Sequence, residues 1–396
     1  MSGLAGRGRV VAALVAGVAL TAGCRTTATS SAHPSTDGSR ATASTPAAVV
    51  TFEPADQAGQ VRLDQQVAVH VSGGRLTGVT ATRIGGAVLT GTLAGDGSGW
   101  TSVEPLTPGS SYTVVATAVD AAGRAVTARS QFGTLTPTST LRATIQPSSG
   151  QTVGVGMPVI VSFNRSVSDR AAVQRALEVT ATPAVTGAWH WMSSREVQWR
   201  PEEFWPSGTS VSVTAGLAGV HAGTGLWGSA TASSAFTVGR AQISTVDVTQ
   251  HTLTVQRDGV VIRTIPVTTG RAGPKTATRD GIKVIITRET SRRMDAATTG
   301  VDPKDPNYYN IVVRYAMRLT WSGEFLHAAP WSVGSQGHAN VSHGCTGMST
   351  ANAKWMFDHS KIGDVVIYTH SSRPLEWGNG YTAWNMPWGT WSAPTT

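Results

Sequence analysis

The residues best suited to chemistry fall in one segment, Glu324-Phe325-Leu326-His327-Ala328-Ala329-Pro330-Trp331 followed by Asn340-Val341-Ser342-His343-Gly344-Cys345-Thr346-Gly347. His327, His338 and His343 cluster ahead of Cys345, one of only 2 cysteines in the chain. A catalytic thiol needs a histidine or cation to draw off its proton, a third group to orient that histidine, and amides to receive an oxyanion. Gly344, directly before the cysteine, permits a tight turn and close approach of backbone to substrate. Two other readings compete. A zinc site could use His and Cys, but the spacing fits no familiar ligand pattern and a second thiolate is absent. A buried structural cysteine with incidental histidines is the third. The residues alone favour the nucleophile and leave the other two open.

The second cysteine bears on the first. Arg7 and Arg9 form a positive n-region, and Val10 to Gly23 is an apolar run too short to span a bilayer. It closes on Leu20-Thr21-Ala22-Gly23-Cys24, which resembles a lipobox, the signal for lipid attachment to Cys24 after cleavage behind Gly23. The usual Leu of that signal stands one place nearer the cysteine, and an ordinary secretory leader is the alternative. With lipid on Cys24, Cys345 is a lone thiol in an exported, oxidising compartment, where a thiol without a function invites oxidation.

The elements that must position this segment are expected to be strands. At 396 residues, two or three domains are expected. A chain 40% hydrophobic and 14% charged, rich in Gly, Ser, Thr and Val, favours short strands and frequent turns over long helices. The net charge of +8 suits an anionic setting, but no run of Lys and Arg concentrates it, so nucleic acid is not an expected partner.

Along the chain, 1–23 reads as the leader and 24–48 as a flexible, Thr/Ser/Ala-rich tether. Two β segments with an internal echo follow, over 49–138 and 139–240. The first opens on Thr51-Phe52-Glu53-Pro54 and later has Trp100, Pro108-Gly109 and the alternating Tyr112-Thr113-Val114-Val115. The second opens on Thr144-Ile145-Gln146-Pro147 and later has Trp199, Pro206-Ser207-Gly208 and Val211-Ser212-Val213. Period-two alternation with closely spaced turns is the pattern of immunoglobulin-like sandwiches. Residues 241–371 continue as strands: Leu253–Arg257, an Asp258-Gly259 hairpin turn, Val260–Arg263 and Ile282–Ile286. One late helix is expected, capped by Ser349 or Thr350 and covering Ala351–His359. In the tail, 372–396, the cluster Trp377, Tyr381, Trp384, Trp388 and Trp391 suits packing against the domain of residues 241–371, with glycan stacking as the alternative.

His327, eighteen positions ahead of the cysteine of Ser342-His343-Gly344-Cys345, resembles the signature of YkuD-type L,D-transpeptidases. Its context, Ser322-Gly323-Glu324-Phe325-Leu326-His327-Ala328-Ala329-Pro330-Trp331-Ser332-Val333, is similar to the actinobacterial lipoprotein members, which carry two immunoglobulin-like domains before the catalytic one. The resemblance implies a mainly β chain: two sandwiches, then a β-rich catalytic domain with few short helices. It implies Cys345 as nucleophile and His327 as base, oriented by the backbone carbonyl of Ala328. Ser342 and His343 would belong to the active-site loop, and the amides of Gly344 and Cys345 would receive the oxyanion. Tyr309 would sit on a lid, and Met294 and Trp331 would line the donor groove. Gly347 departs from the family, which commonly has Asn there, and His338 is read as a loop histidine.

The implied reaction takes a tetrapeptide stem as donor, releases D-Ala and makes a 3→3 cross-link to a second peptidoglycan stem, with no metal or other cofactor. Carbapenem β-lactams are implied inhibitors, and the N-terminal lipid would place the protein on the outer face of the plasma membrane with its catalytic domain in the wall. An L,D-carboxypeptidase, a protein-to-peptidoglycan attachment enzyme and a weakly active wall-binding paralogue are the alternatives. A sortase-type enzyme is disfavoured, because no downstream Arg accompanies a Thr-x-Thr-Cys segment.

Overall fold

The computed structural model describes residues 47–299, 301–305 and 308–394. The leader, Cys24 and nearly all of the tether lie outside them. The architecture is mainly β: two immunoglobulin-like sandwiches precede a β-rich catalytic domain.

In the first sandwich, strands Val49–Glu53, Ala68–Ser72, Gly99–Ser102 and Gly91–Leu93 make one sheet. Ala58–Val61, Ala125–Thr134, Ser111–Asp120 and Gly74–Arg83 make the other. Ser111–Asp120 alternates strictly between inward and outward residues, so Tyr112, Val114, Ala116 and Ala118 enter the core with Trp100 and Phe132. The second sandwich repeats the plan. Ala143–Gln146, Val159–Phe163, Glu196–Pro201 and Gly187–Ser193 face Thr152–Val153, Thr231–Val238, Ser210–Gly216 and Leu177–Thr182. The internal echo has a packing basis. A Cβ on Gly91 would lie 2.1 Å from the Trp100 ring, and one on Gly187 would lie 2.0 Å from the Trp199 ring. In each sandwich an indole takes the space a Cβ would need at a glycine of the neighbouring strand, which leaves room for no other residue.

The catalytic domain has two sheets. The larger orders Val260–Pro266, Thr252–Arg257, Gln242–Asp247, Val365–Thr369, Arg279–Val284 and Arg373–Pro374. The smaller orders Thr287–Asp295, Asn310–Arg318, Phe325–Ala328 and Thr346–Met348. The hairpin turn at Asp258-Gly259 has both φ angles positive, 50° and 81°, which matches the right-handed twist of the flanking strands. Helix Thr350–His359 is capped by Ser349, whose hydroxyl accepts the Asn352 N–H at 3.2 Å. Ala353 and Met356 on this helix are fully buried and anchor it to the domain core.

The tail packs more widely than expected, reaching past the catalytic domain onto the second sandwich. Trp391 is 0% exposed, and its indole N–H donates to Ala188 O at 2.9 Å. The Trp384 N–H donates to Gly156 O at 2.7 Å. Arg200, on the second sandwich, places its guanidinium 4.8, 5.2 and 5.0 Å from the rings of Trp384, Trp388 and Trp391. Desolvation and the cation–π geometry make this a clasp between sandwich and tail. Trp391→Ala leaves a void at the clasp and is expected to cost about 3–5 kcal/mol. Thermal or denaturant unfolding checks this; a loss below about 1 kcal/mol would mean that the clasp contributes little to stability.

Candidate active site

Strand Phe325–Ala328 pairs in parallel with Thr346–Met348, so Leu326 faces Thr346 and His327 faces Gly347. This register carries Cys345, the residue just before the second strand, to the mouth of a cavity shared with His327. The cavity has a volume of about 320 Å³ and is lined by Cys345, His327, Met294, Tyr309, Ile311, Trp331, Val341, Gly347 and their neighbours. Tyr309, Met294 and Trp331 therefore all line one cavity with the cysteine. Ala328 does not line the cavity; its side chain is in the core and its carbonyl does the local work.

The turn carrying the cysteine is tied down on several sides. Thr268 and Gly347 exchange backbone hydrogen bonds of 3.0 and 2.8 Å. Asn340 accepts from the Thr269 N–H at 3.0 Å and hydroxyl at 2.8 Å, and donates to Val248 O at 2.9 Å. The Ser342 hydroxyl donates to Cys345 O at 2.6 Å and accepts from the Gly344 N–H at 3.1 Å. Gly344 has φ = 130°, a backbone conformation that L side chains avoid, which explains the glycine before the cysteine. Its carbonyl accepts from the Thr278 hydroxyl at 2.7 Å.

Cys345 is a free thiol, and burial pushes its pKa up to about 12. The Phe325 amide, Lys283 and Arg318 pull in the opposite direction, while Glu324 adds to the rise. The sulphur donates to Gly323 O at 3.6 Å, and no hydrogen bond joins it to His327 among the described residues. His327 is only 6% exposed. Its Nδ1–H donates to Ala328 O at 2.8 Å, because a carbonyl can only accept, and this leaves Nε2 as the unprotonated nitrogen. Burial holds the imidazole pKa below its ordinary value, with the Ala328 carbonyl opposing. The resting pair is thus neutral thiol and neutral imidazole.

His343 accepts an Arg271 N–H at Nε2, 3.1 Å away, and its ring lies 5.1 Å from that of Tyr309. Burial and the Arg271 charge both depress its pKa, so it stays a neutral acceptor. Met294 and Tyr309 flank the loop joining strands Thr287–Asp295 and Asn310–Arg318, which cover one side of the cavity. Trp331 is 59% exposed at the rim, its ring 6.1 Å from His327. His338 is exposed, on the loop.

Gly347 has a packing explanation. A Cβ there would lie 2.8 Å from Ala329 Cβ and 3.2 Å from Thr268 Cγ2, so the room for a larger residue is already filled. Gly347→Asn is expected to destabilise the protein by about 1–3 kcal/mol through overpacking, and not to improve acylation. Melting curves and acylation rates check both halves of this expectation.

Sequence reasoning missed a buried ionic group behind the cysteine turn. Lys283 Nζ lies 2.6 Å from Glu324 Oε2, and Arg279 lies 3.0 Å from Glu324 Oε1. The available signal was a lysine inside the apolar run Ile282-Lys283-Val284-Ile285-Ile286.

Residues 58–221 match the bacterial Ig domain family, and residues 241–367 match the L,D-transpeptidase catalytic domain. L,D-transpeptidase 2 of Mycobacterium tuberculosis is 38% identical over 345 residues, covering 87% of this chain and 84% of that protein. L,D-transpeptidase 5 of the same organism is 37% identical, covering 87% of this chain and 76% of that protein. Among solved structures, LD transpeptidase LdtMt1 in complex with imipenem is 37% identical with a TM-score of 0.50, covering 57% of this chain and 98% of that one. With a relative this similar along most of both chains, and with sandwiches leading into a catalytic domain of matching sequence, the protein belongs to the L,D-transpeptidases and is an acyltransferase enzyme.

Proposed function

We propose that the protein cross-links peptidoglycan through a thioester on Cys345, with His327 as the base. One observation carries this reading: Cys345 and His327 line a single cavity, and the Ala328 carbonyl pins His327 in the tautomer that leaves Nε2 free. His327 takes the thiol proton as sulphur attacks the amide between meso-diaminopimelate and the terminal D-Ala of a tetrapeptide stem. The S–C bond forms, the C–N bond breaks, and the proton passes from His327 to the departing D-Ala amine. The side-chain amine of a second stem then attacks the thioester. A new amide forms, the C–S bond breaks, and the amine proton returns by way of His327 to sulphur, giving a 3→3 link.

The oxyanion falls mainly to the Cys345 N–H, because the Gly344 N–H is engaged by the Ser342 hydroxyl. Met294, Tyr309 and Trp331 provide an apolar groove for the donor stem. An apolar cavity slows attack by water and so favours the amine. Carbapenem acylation of Cys345 follows from the same reading and is supported by the imipenem complex of LdtMt1. A lipid on Cys24 would hold the protein on the outer face of the plasma membrane, with the sandwiches as a stalk reaching into the wall.

Incubation with a disaccharide-tetrapeptide, followed by mass spectrometry, tests the proposal. A 3→3 dimer with release of D-Ala is the expected product. Tripeptide without dimer would replace the transferase by a carboxypeptidase. No conversion by folded, reduced protein would leave a wall-binding paralogue.

A further inference from the structure

The two groups that touch the Cys345 sulphur flank a single residue. The Gly323 carbonyl receives the S–H at 3.6 Å, and the Phe325 amide faces the sulphur as a donor. Between them stands Glu324, whose side chain turns inward and is 4% exposed. Its Oε2 accepts from Lys283 Nζ at 2.6 Å, and its Oε1 accepts from the Arg279 backbone N–H and guanidinium, both at 3.0 Å. Its own N–H donates to the Thr320 hydroxyl at 2.9 Å, and its carbonyl accepts the Leu319 N–H at 2.9 Å. A residue held at its carboxylate, amide and carbonyl fixes the peptide planes on both sides of it, so the directions of Gly323 O and Phe325 N–H are set by the anchoring of Glu324.

Lys283 is itself fully buried, with Nζ 3.7 Å from the centre of the Tyr368 ring. The Tyr368 hydroxyl meets the Thr346 hydroxyl at 2.7 Å, immediately beyond the cysteine. Glu324, Lys283 and Arg279 therefore form a charged group behind one sulphur, and none of the three is used by the acyl-transfer steps above. A charge pair in the interior is costly compared with apolar residues of the same volume, so a pair placed there calls for a role.

We propose that Glu324, clamped by Lys283, is a positioning residue that seats the Cys345 thiol on the Gly323 carbonyl in the resting enzyme, and that Lys283 sets how readily the thiol leaves that seat. The inference rests on Cys345 being the nucleophile. The Glu324 carboxylate disfavours a thiolate and the Lys283 ammonium favours one, so the two residues act on the sulphur with opposite sign. The other charged or titratable groups around the sulphur are Arg318, Tyr309, Tyr368, Arg279 by way of Glu324 and, lining the cavity, His327 and His343.

The test is the pH dependence of Cys345 alkylation by iodoacetamide, read by intact mass on the folded protein with Cys24 removed. Lys283→Met is expected to alkylate about tenfold slower than wild type at a fixed pH below the midpoint, because the Glu324 carboxylate, still held by Arg279, then opposes the thiolate alone. Lys283→Met can fail to fold, so Lys283→Met/Glu324→Leu is measured beside it. The double variant removes both charges and is expected to titrate below both Lys283→Met and wild type, since the carboxylate has the larger effect of the two. Simple loosening of the turn would speed Lys283→Met as well. A Lys283→Met profile at or below wild type, or a double variant titrating at or above wild type, overturns the inference. Acylation of wild type by imipenem in parallel separates the two failures: no adduct sinks the assignment of the nucleophile, whereas an adduct with unmoved alkylation profiles sinks this inference alone.

Discussion

Replacing Cys345 by Ala is expected to abolish acylation by imipenem and to lower muropeptide turnover by roughly 10⁴-fold or more, the scale seen when an acyl-transfer enzyme loses its nucleophile. The change is small for the fold. The side chain is only partly buried, and the turn around it is held by Ser342, Thr268, Thr278 and Asn340 through bonds that do not involve sulphur. Melting temperature should therefore move little while activity disappears, and that contrast separates a catalytic from a structural cysteine. Intact mass gives the decisive reading: one adduct on wild type and none on Cys345→Ala. An adduct surviving in the variant would move the nucleophile to another residue, with the Ser342 hydroxyl the nearest candidate on the same turn.

How far such a site can be read before its fold is known depends on how local its chemistry is. The Cys345 turn announces itself because one short segment must supply a thiol, a glycine at positive φ and a capping serine, and each residue type has few substitutes there. His327 is legible for a similar reason: its orienting group is the carbonyl of the next residue, so the identity of Ala328 hardly matters. The hairpin at Asp258-Gly259 and the cap at Ser349 are local as well.

What stays hidden depends on distant partners. Lys283 and Glu324 are 41 residues apart and meet only once the strand holding Lys283 packs behind the cysteine turn. The Trp-rich tail could be read as packing, but its partner, Arg200, lies on the second sandwich, 186 residues before Met386, whose carbonyl it bonds. Gly347 looks like a lost side chain in the sequence. In the fold, Ala329 and Thr268 occupy the space, so the departure is a repacking of the groove floor.

His327→Gln is expected to lower kcat/KM by about 10²–10⁴-fold, the range for loss of a general base, and to change the pH profile in a way no packing defect would. Glutamine can still donate to the Ala328 carbonyl, so position is largely kept while the proposed base is removed. In the proposed mechanism the imidazole must be neutral to accept the thiol proton. Burial holds its pKa below the ordinary 6.5, so the base stays competent below that pH and the acid limb of kcat/KM lies on the acid side of 6.5. The sign for stability agrees. As pH falls through 6.5 the unfolded imidazole takes up a proton and the buried one does not, so the folded state loses stability until its own lower pKa is passed. His327→Gln should lose both the acid limb and that part of the acid destabilisation. His343→Gln is the control, because His343 faces Arg271 and lies outside the proton path proposed above. A His327→Gln enzyme that keeps its acid limb with only a few-fold loss in rate would place the base elsewhere, and a His343→Gln enzyme that lost the limb would identify His343 as that base.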